Sequence, residues 1–143
     1  MSKAKVLFLC TGNSVRSQMA EAFLKKHGGE HYDAYSTGTE PKGINPYTKR
    51  VMEEVGVNLS GQYSKHVREY IGKMNFAYVI TLCGEAQKSC PTIFPGIGQI
   101  LHWSFEDPAA FAGSDDEKLA KFREVRDQIE RTIKEWLSGQ QEK

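Results

Sequence analysis

Short runs of consecutive apolar residues, bounded by residues that favour turns, constrain the fold of this chain most strongly. Lys5 to Leu9 reads KVLFL and is soon followed by a Gly-Asn pair, and Phe76 to Leu82 reads FAYVITL. Short runs without polar alternation are typical of strands that are buried on both faces of a parallel sheet. Tyr32 to Thr37 and Gln99 to Trp103 are two further candidate strands, which brings the predicted sheet to four strands.

Helical patterns lie between these candidate strands. We predict helices over Ser17 to Lys26, from the Asn45-Pro46 pair to Gly56, over Lys65 to Ile71, and over Glu117 to Leu137. The last of these has apolar residues at spacings of three and four, which is the pattern of a core-facing helix. Strands that alternate with helices predict an α/β fold, here a four-stranded parallel sheet with helices on both faces.

Length and charge limit the classes of function. A chain of 143 residues is large enough for one buried core, and we expect residues 1–143 to form a single domain. The formal net charge is +1, so we expect neither nucleic acid nor an anionic membrane as a partner. The N-terminal apolar run is too short for a signal peptide or a membrane span. We therefore expect a cytoplasmic protein, and a monomer.

The chain has three cysteines, Cys10, Cys83 and Cys90. An odd number this small does not suggest a secreted disulfide framework, so we expect thiols at rest and any disulfide to be transient and catalytic. Two buried core thiols are the alternative for Cys83 and Cys90. The cysteine spacing and the four histidines match no zinc pattern, so we expect no metal.

Cys10 opens the segment CTGNSVRS, which joins the first predicted strand to the first predicted helix. Backbone amides at a helix N-terminus bind anions, and Gly12 and Asn13 suit the positive φ angles of a tight cradle. Arg16 can hold two oxygens of a tetrahedral oxyanion, and its charge favours the thiolate of Cys10. The alternative is a buried core cysteine beside an arginine in a surface ion pair. The candidate anion-binding residues are Thr11, Gly12, Asn13, Ser14, Val15, Arg16 and Ser17.

The segment CTGNSVRSQMAEAF resembles the active-site segment of the low-molecular-weight protein tyrosine phosphatase fold. Within that fold, the chain most resembles the thioredoxin-linked arsenate reductases. The resemblance continues through YSTGTEP, INPYTKRVMEEVGV, VITLCGEAQKSCP and HWSFEDPA to the final helix. It implies a four-stranded parallel sheet with flanking helices.

The resemblance also implies a relay of three thiols. Cys10 would attack arsenic, Cys83 would then attack Cys10 and release arsenite, and Cys90 would attack Cys83. Thioredoxin would reduce the resulting disulfide, so that no bound cofactor is needed. If residues 83 to 90 are helical, their ends are roughly 10.5 Å apart. A disulfide needs less than about 7 Å, so this segment would have to unwind.

Asp107 matches the acid that protonates the departing oxygen in the family. Asp-Pro is also a frequent turn opener, and on chemistry alone Glu106 competes for the role. Phosphatases of this fold usually have aromatic residues after the equivalent Asp-Pro pair, whereas this chain has Ala109 and Ala110. The resemblance therefore favours a reductase over a phosphotyrosine phosphatase.

Some related reductases bind potassium through side chains that match Asn13, Glu21 and Ser36, together with an acidic residue. Lys65 is found at the acidic position here, so its ammonium could replace the ion, or it could be a solvated surface lysine. Two other functions stay open: a phosphatase that acts on phosphate esters, and a non-enzymatic oxyanion or redox sensor.

Overall fold

A parallel sheet of four strands forms the centre of the computed structural model, which describes residues 3–10, 12–70, 73–83 and 97–141. The strands are β1 (Ala4–Cys10), β2 (Tyr32–Gly38), β3 (Phe76–Cys83) and β4 (Ile97–Phe105). Their order is β2-β1-β3-β4, and every neighbouring pair is parallel. The predicted four-stranded parallel sheet is confirmed, and β4 is longer than the sequence pattern indicated.

The sheet order brings the ends of β1 and β3 together. β1 lies between β2 and β3, with Leu9 opposite Thr81 in the register of the β1–β3 pair. Cys10 and Cys83 are the last residues of these two neighbouring strands. Because parallel strands end at the same edge, both cysteines lie at the carboxyl edge of the sheet, where α/β proteins bind ligands.

Three α-helices follow the predicted pattern: α1 (Arg16–Gly28), α2 (Pro46–Glu54) and α3 (Asp115–Gln141). Asn45 caps α2 as expected, since its Oδ1 accepts a hydrogen bond from the amide of Tyr47 at 2.9 Å. The third helix begins two residues before its predicted start because Ser114 and Glu117 form a capping box. The amide of Ser114 donates to Glu117 Oε1 at 3.1 Å, and the amide of Glu117 donates to Ser114 Oγ at 3.2 Å.

The predicted helix over Lys65 to Ile71 is wrong. Within this segment the described residues form one 3₁₀ turn, Val67–Glu69, and residues 71–72 are outside the described part of the chain. Gly38 at the end of β2 donates a hydrogen bond to the carbonyl of Lys65 at 2.8 Å and forms a parallel bridge with His66. These contacts hold the start of the segment extended, which leaves room for one turn only.

The core lies on both faces of the sheet. On one face, residues of α1 and α3 pack against β1 and β3, and the apolar stripe of α3 is buried as predicted. Its members are Leu119, Phe122, Val125, Ile129, Ile133 and the partly buried Trp136. On the other face, Val67, Tyr70 and Met74 cover β1 and β3. None of the helices in the described ranges is both long enough and apolar enough to cross a membrane.

Candidate active site

Cys10 is buried at the end of β1, with 3% of its surface exposed. The loop after it leads into α1, whose N-cap residue is Val15. No side chain makes a capping hydrogen bond at this helix start. The first amides of an α-helix have no partners within the helix, so an anion can serve as their acceptor.

Asn13 stabilises the conformation of the loop through three buried hydrogen bonds. It is fully buried, with a φ of 48°, and its Nδ2 donates to Ser17 Oγ at 2.8 Å. Its Oδ1 accepts from the amide of Lys65 at 2.8 Å, and its carbonyl accepts from Gln18 Nε2 at 3.1 Å. Asn13 thus joins the loop to the start of α1 and to the segment after α2.

The expectation of a positive φ is confirmed for Asn13 and wrong for Gly12. The described glycines with a positive φ are Gly43, Gly56 and Gly61. The carbonyl of Gly12 instead accepts hydrogen bonds from the amide of Lys42 at 2.9 Å and from Ser64 Oγ at 3.2 Å. The backbone at Gly12 is therefore set by two neighbouring segments and not by a left-handed turn.

The segment from Thr39 to Asn45 runs along the loop and binds its carbonyl groups. The amides of Thr39, Lys42 and Asn45 donate to the carbonyls of residues 10, 12 and 14 at 3.2, 2.9 and 3.2 Å. Thr48 Oγ1 donates to the last of these carbonyls as well, at 3.2 Å. Because protein donors satisfy these acceptors, the loop is held in place before any ligand binds.

One side of the Arg16 guanidinium group is bound by backbone carbonyl groups. Its Nη1 donates to the carbonyls of Leu82 and Phe105 at 3.3 and 3.1 Å, so it is held by the ends of β3 and β4. Its Nε is buried and has no hydrogen-bond partner among the described residues. Nη2 lies 3.8 Å from Asp107 Oδ2. An oxyanion that accepted bonds from Nε and Nη2 would complete the coordination of this side chain.

Asp107 belongs both to a turn and to the candidate site. Its Oδ1 accepts from the amide of Ala109 at 3.0 Å and caps the 3₁₀ turn Pro108–Ala110. Its Oδ2 points towards Arg16, and 42% of the side chain is exposed. Glu106 points elsewhere, since it pairs with Lys121 at 2.9 Å. Geometry therefore distinguishes two carboxylates that chemistry alone left equivalent.

These groups line one cleft at the carboxyl edge of the sheet. Its lining residues are Cys10, Gly12, Ser14, Val15, Arg16, Lys42, Gly43, Ile44, Asn45, Pro46, Asp107 and Ala109. Most of the predicted site residues thus come together, while Asn13 and Ser17 are buried beside the loop. Thr11, Cys90 and the helix expected between Cys83 and Cys90 are outside the described residues, and Cys83 is placed only as the end of β3.

Sequence reasoning missed Lys42 as a member of the cleft. In the sequence it is one lysine in a polar segment between two predicted elements, with no motif around it. Only the hydrogen bond between its amide and the carbonyl of Gly12 places it beside the cysteine loop. A pairing between two loops has no periodic pattern that a sequence could reveal.

Lys65 is buried, so its interpretation as a solvated surface lysine is wrong. Its side chain is 3% exposed, and Nζ donates to the carbonyl of Tyr63 at 2.7 Å. Nζ also lies 3.9 Å from Glu21 Oε1, which accepts from Ser36 Oγ at 2.5 Å. Burial lowers the pKa of Lys65, and the nearby Glu21 carboxylate opposes that shift. An ammonium group among these residues does not fit a potassium ion at the same place.

The sequence matches the family model of the low molecular weight phosphotyrosine protein phosphatases over residues 5–143. A relative named as an arsenate reductase, from Halalkalibacterium halodurans, is 46% identical over 94% of this chain and 95% of its own length. A second, from Bacillus subtilis, is 43% identical over 95% of this chain and 96% of its own length.

Solved structures agree with the sequence matches. A structure described as an arsenate reductase in the phosphate binding state is 33% identical, with a TM-score of 0.76 over 95% of this chain and 98% of that one. A thioredoxin-dependent arsenate reductase from Corynebacterium glutamicum is 30% identical, with a TM-score of 0.71 over 99% of this chain and 64% of that one. This chain therefore belongs to the low molecular weight phosphotyrosine protein phosphatase family and, within it, to the arsenate reductases.

Proposed function

We propose that this protein reduces arsenate to arsenite with electrons from its own thiols, which thioredoxin then restores. The observation that carries the proposal concerns Arg16, which lines the cleft together with Cys10 and Asp107 and whose buried Nε has no partner among the described residues. A donor left in this way suits an oxyanion held in front of a nucleophile. The names of the relatives support arsenate as that oxyanion.

The first step joins the sulfur of Cys10 to arsenic. Arg16 and the amides at the start of α1 hold three oxygens of arsenate, and the thiolate of Cys10 attacks the arsenic atom. An As–S bond forms while an As–O bond breaks, and the oxygen leaves as water after it takes a proton from Asp107. The position of Asp107 Oδ2, 3.8 Å from Arg16 Nη2, supports this role.

The second step transfers two electrons to arsenic, and the third step moves the disulfide from Cys10–Cys83 to Cys83–Cys90. The thiolate of Cys83 attacks the sulfur of Cys10, the S–As bond breaks, and its electron pair stays on arsenic, which becomes arsenite. The thiolate of Cys90 then attacks the sulfur of Cys83 and releases the Cys10 thiolate. Thioredoxin reduces the resulting disulfide by dithiol exchange, so the cycle needs no bound cofactor. The adjacent ends of β1 and β3 support the second step, because they place the backbones of Cys10 and Cys83 at the same edge.

A phosphatase is the second candidate, because one nucleophile, one arginine and one acid also suffice to hydrolyse a phosphate ester. The presence of Ala109 in the cleft favours the reductase, since a methyl group offers little surface to an aromatic ester. Consumption of NADPH with thioredoxin and thioredoxin reductase distinguishes the functions. We expect consumption that depends on added arsenate, whereas a phosphatase or a sensor would give none.

We expect Asp107→Asn to slow the first chemical step roughly 10²–10⁴-fold, because a general acid contributes that much to the rate. The amide oxygen can still accept from Ala109, so the turn should persist. Single-turnover arsenite release measures the step, and binding of inorganic phosphate should stay nearly unchanged. The matched control is Glu106→Gln, because the carboxylate of Glu106 pairs with Lys121 in the unsubstituted protein. If Asp107→Asn released arsenite at the normal single-turnover rate, Asp107 would only cap the turn and would not act as the acid.

We propose that the enzyme needs no potassium ion, because the ammonium of Lys65 already lies beside Glu21. Exchange of sodium for potassium at constant ionic strength should change neither the arsenate-dependent rate nor the melting temperature. The comparison variant is Lys65→Asp, in which a carboxylate beside Glu21 creates like-charge repulsion that a cation relieves. Because related reductases with an acidic residue at this position bind potassium, we expect this variant to melt at a lower temperature in sodium than in potassium. A clear potassium response in the unsubstituted protein would contradict the proposal.

A further inference from the structure

Lys42 is a second cation of the active-site cleft that neither the family resemblance nor the relay uses. It lines the cleft together with Arg16 and Asp107, and its side chain is exposed. Its backbone is fixed by the hydrogen bond from its amide to the carbonyl of Gly12 at 2.9 Å. Gly43, the next residue, has a φ of 85°, so the chain turns immediately after Lys42. The Cα atom of Lys42 is therefore held beside the cysteine loop.

The stem of Lys42 lies across Gly12. A Cβ atom placed on Gly12 would be 3.5 Å from Cδ of Lys42 and 3.7 Å from Cγ, which is ordinary van der Waals contact. The aliphatic part of the side chain thus covers the backbone of the loop that is expected to hold the oxyanion. Lysine commonly packs its stem in this way while its ammonium group stays in water.

The ammonium group of Lys42 makes no ion pair or hydrogen bond with any residue that the structure describes. Arg16 differs, because two carbonyls and Asp107 already surround part of its guanidinium group. The described lining residues include two cations, Arg16 and Lys42, together with Asp107 and Cys10. In the proposed first step Asp107 carries a proton and Cys10 is a thiolate, so the side chains of the cleft have an excess of one positive charge. A dianion in the cleft would balance this excess together with the amides of the loop.

We propose that Lys42 is a binding residue for the oxyanion, and that it captures the free dianion and holds it on the cysteine loop. This inference rests on the proposed function for the identity of the substrate, whereas its charge argument applies to any tetrahedral dianion. Lys42 contacts the outer part of the bound anion, and Arg16 contacts the part nearer to Cys10. Its contribution is the same in the ground state and in the transition state, so it acts on affinity and not on the chemical step.

The test is calorimetric titration of the reduced protein with inorganic phosphate, which binds without being reduced. Lys42→Met keeps the aliphatic stem and removes the charge. We expect it to bind phosphate about tenfold more weakly, a loss between that for removal of an exposed ion pair and that for removal of a charge-assisted hydrogen bond. Lys42→Arg should bind phosphate nearly as tightly as the unsubstituted protein. The loss in Lys42→Met should shrink as salt is added, because salt screens exposed charges.

The control is Lys134→Met, which removes the same charge from the exposed side of α3. In arsenate turnover, Lys42→Met should raise KM by about the same tenfold factor and leave kcat unchanged, which is the signature of lost uniform binding. Equal phosphate affinities in Lys42→Met and Lys134→Met would overturn the proposal, as would a lower kcat with an unchanged KM. If the unsubstituted protein binds phosphate but reduces no arsenate, the proposed function fails, and the phosphate titrations still decide the role of Lys42.

Discussion

Cys10→Ser should abolish arsenate reduction while the protein keeps its fold and its affinity for phosphate. A serine hydroxyl in this loop is a far poorer nucleophile than a cysteine thiolate, so the first bond to arsenic does not form. Every later step depends on that bond and is lost with it. The groups that we propose to bind the anion are elsewhere, in Arg16 and in the backbone at the start of α1. Single-turnover arsenite release and phosphate titration measure the two properties separately.

The informative comparison is Cys90→Ser, which lacks only the last thiol of the proposed relay. We expect this variant to release one equivalent of arsenite and then to stop, with a disulfide between Cys10 and Cys83. Mass spectrometry of the alkylated, digested protein identifies that bond. Continued turnover of Cys90→Ser with thioredoxin would contradict the three-thiol relay. Arsenite release by Cys10→Ser would contradict the assignment of the nucleophile.

Arg16→Lys should weaken phosphate binding strongly and lower kcat/KM for arsenate roughly 10²–10³-fold, the typical cost of losing one oxyanion donor. Lysine keeps the charge but has no planar pair of donors, so it cannot bind two oxygens at once. It also cannot reproduce the hydrogen bonds from Nη1 to the carbonyls of Leu82 and Phe105. Steady-state kinetics and calorimetry measure the loss.

Part of that loss could come from disturbance of the strand ends, so stability has to be measured beside activity. The control is Arg123→Lys, whose guanidinium pairs with Glu54 on a different surface of the protein. We expect both variants to melt at similar temperatures, and Arg16→Lys alone to lose phosphate binding. If Arg16→Lys bound phosphate normally, the buried Nε of Arg16 would not be part of an anion site.

Local patterns in the sequence predicted most of the fold. The apolar runs of β1 and β3 and the three-and-four spacing of α3 are periodic features, and each element formed where its pattern indicated. The N-cap at Asn45 was predictable for the same reason, because a cap depends on residues within one turn. The predicted helix at residues 65 to 71 failed, because contacts with distant Gly38 hold Lys65 and His66 extended.

The chemistry of the candidate site was also readable in part from the sequence. Cysteine, Gly-Asn and arginine between a strand and a helix predicted an anion site, and the cleft contains Cys10, Gly12 and Arg16. The family resemblance favoured Asp107 over Glu106, but chemistry alone could not choose between them, because neighbouring residues in a turn can point in opposite directions. The turn directs the two carboxylates differently, since Asp107 caps Ala109 beside the cleft and Glu106 pairs with Lys121.

The sequence by itself therefore determined the strands and the α-helices and indicated the candidate nucleophile segment, since each depends on residues that are close along the chain. Only the tertiary structure decided that Lys65 is buried beside Glu21, that Lys42 lies over Gly12, and that Arg16 is held by the ends of two strands. The physical reason is that hydrogen bonds and charge pairs between distant segments depend on how those segments pack. A single sequence does not record that packing as a repeating pattern of residues.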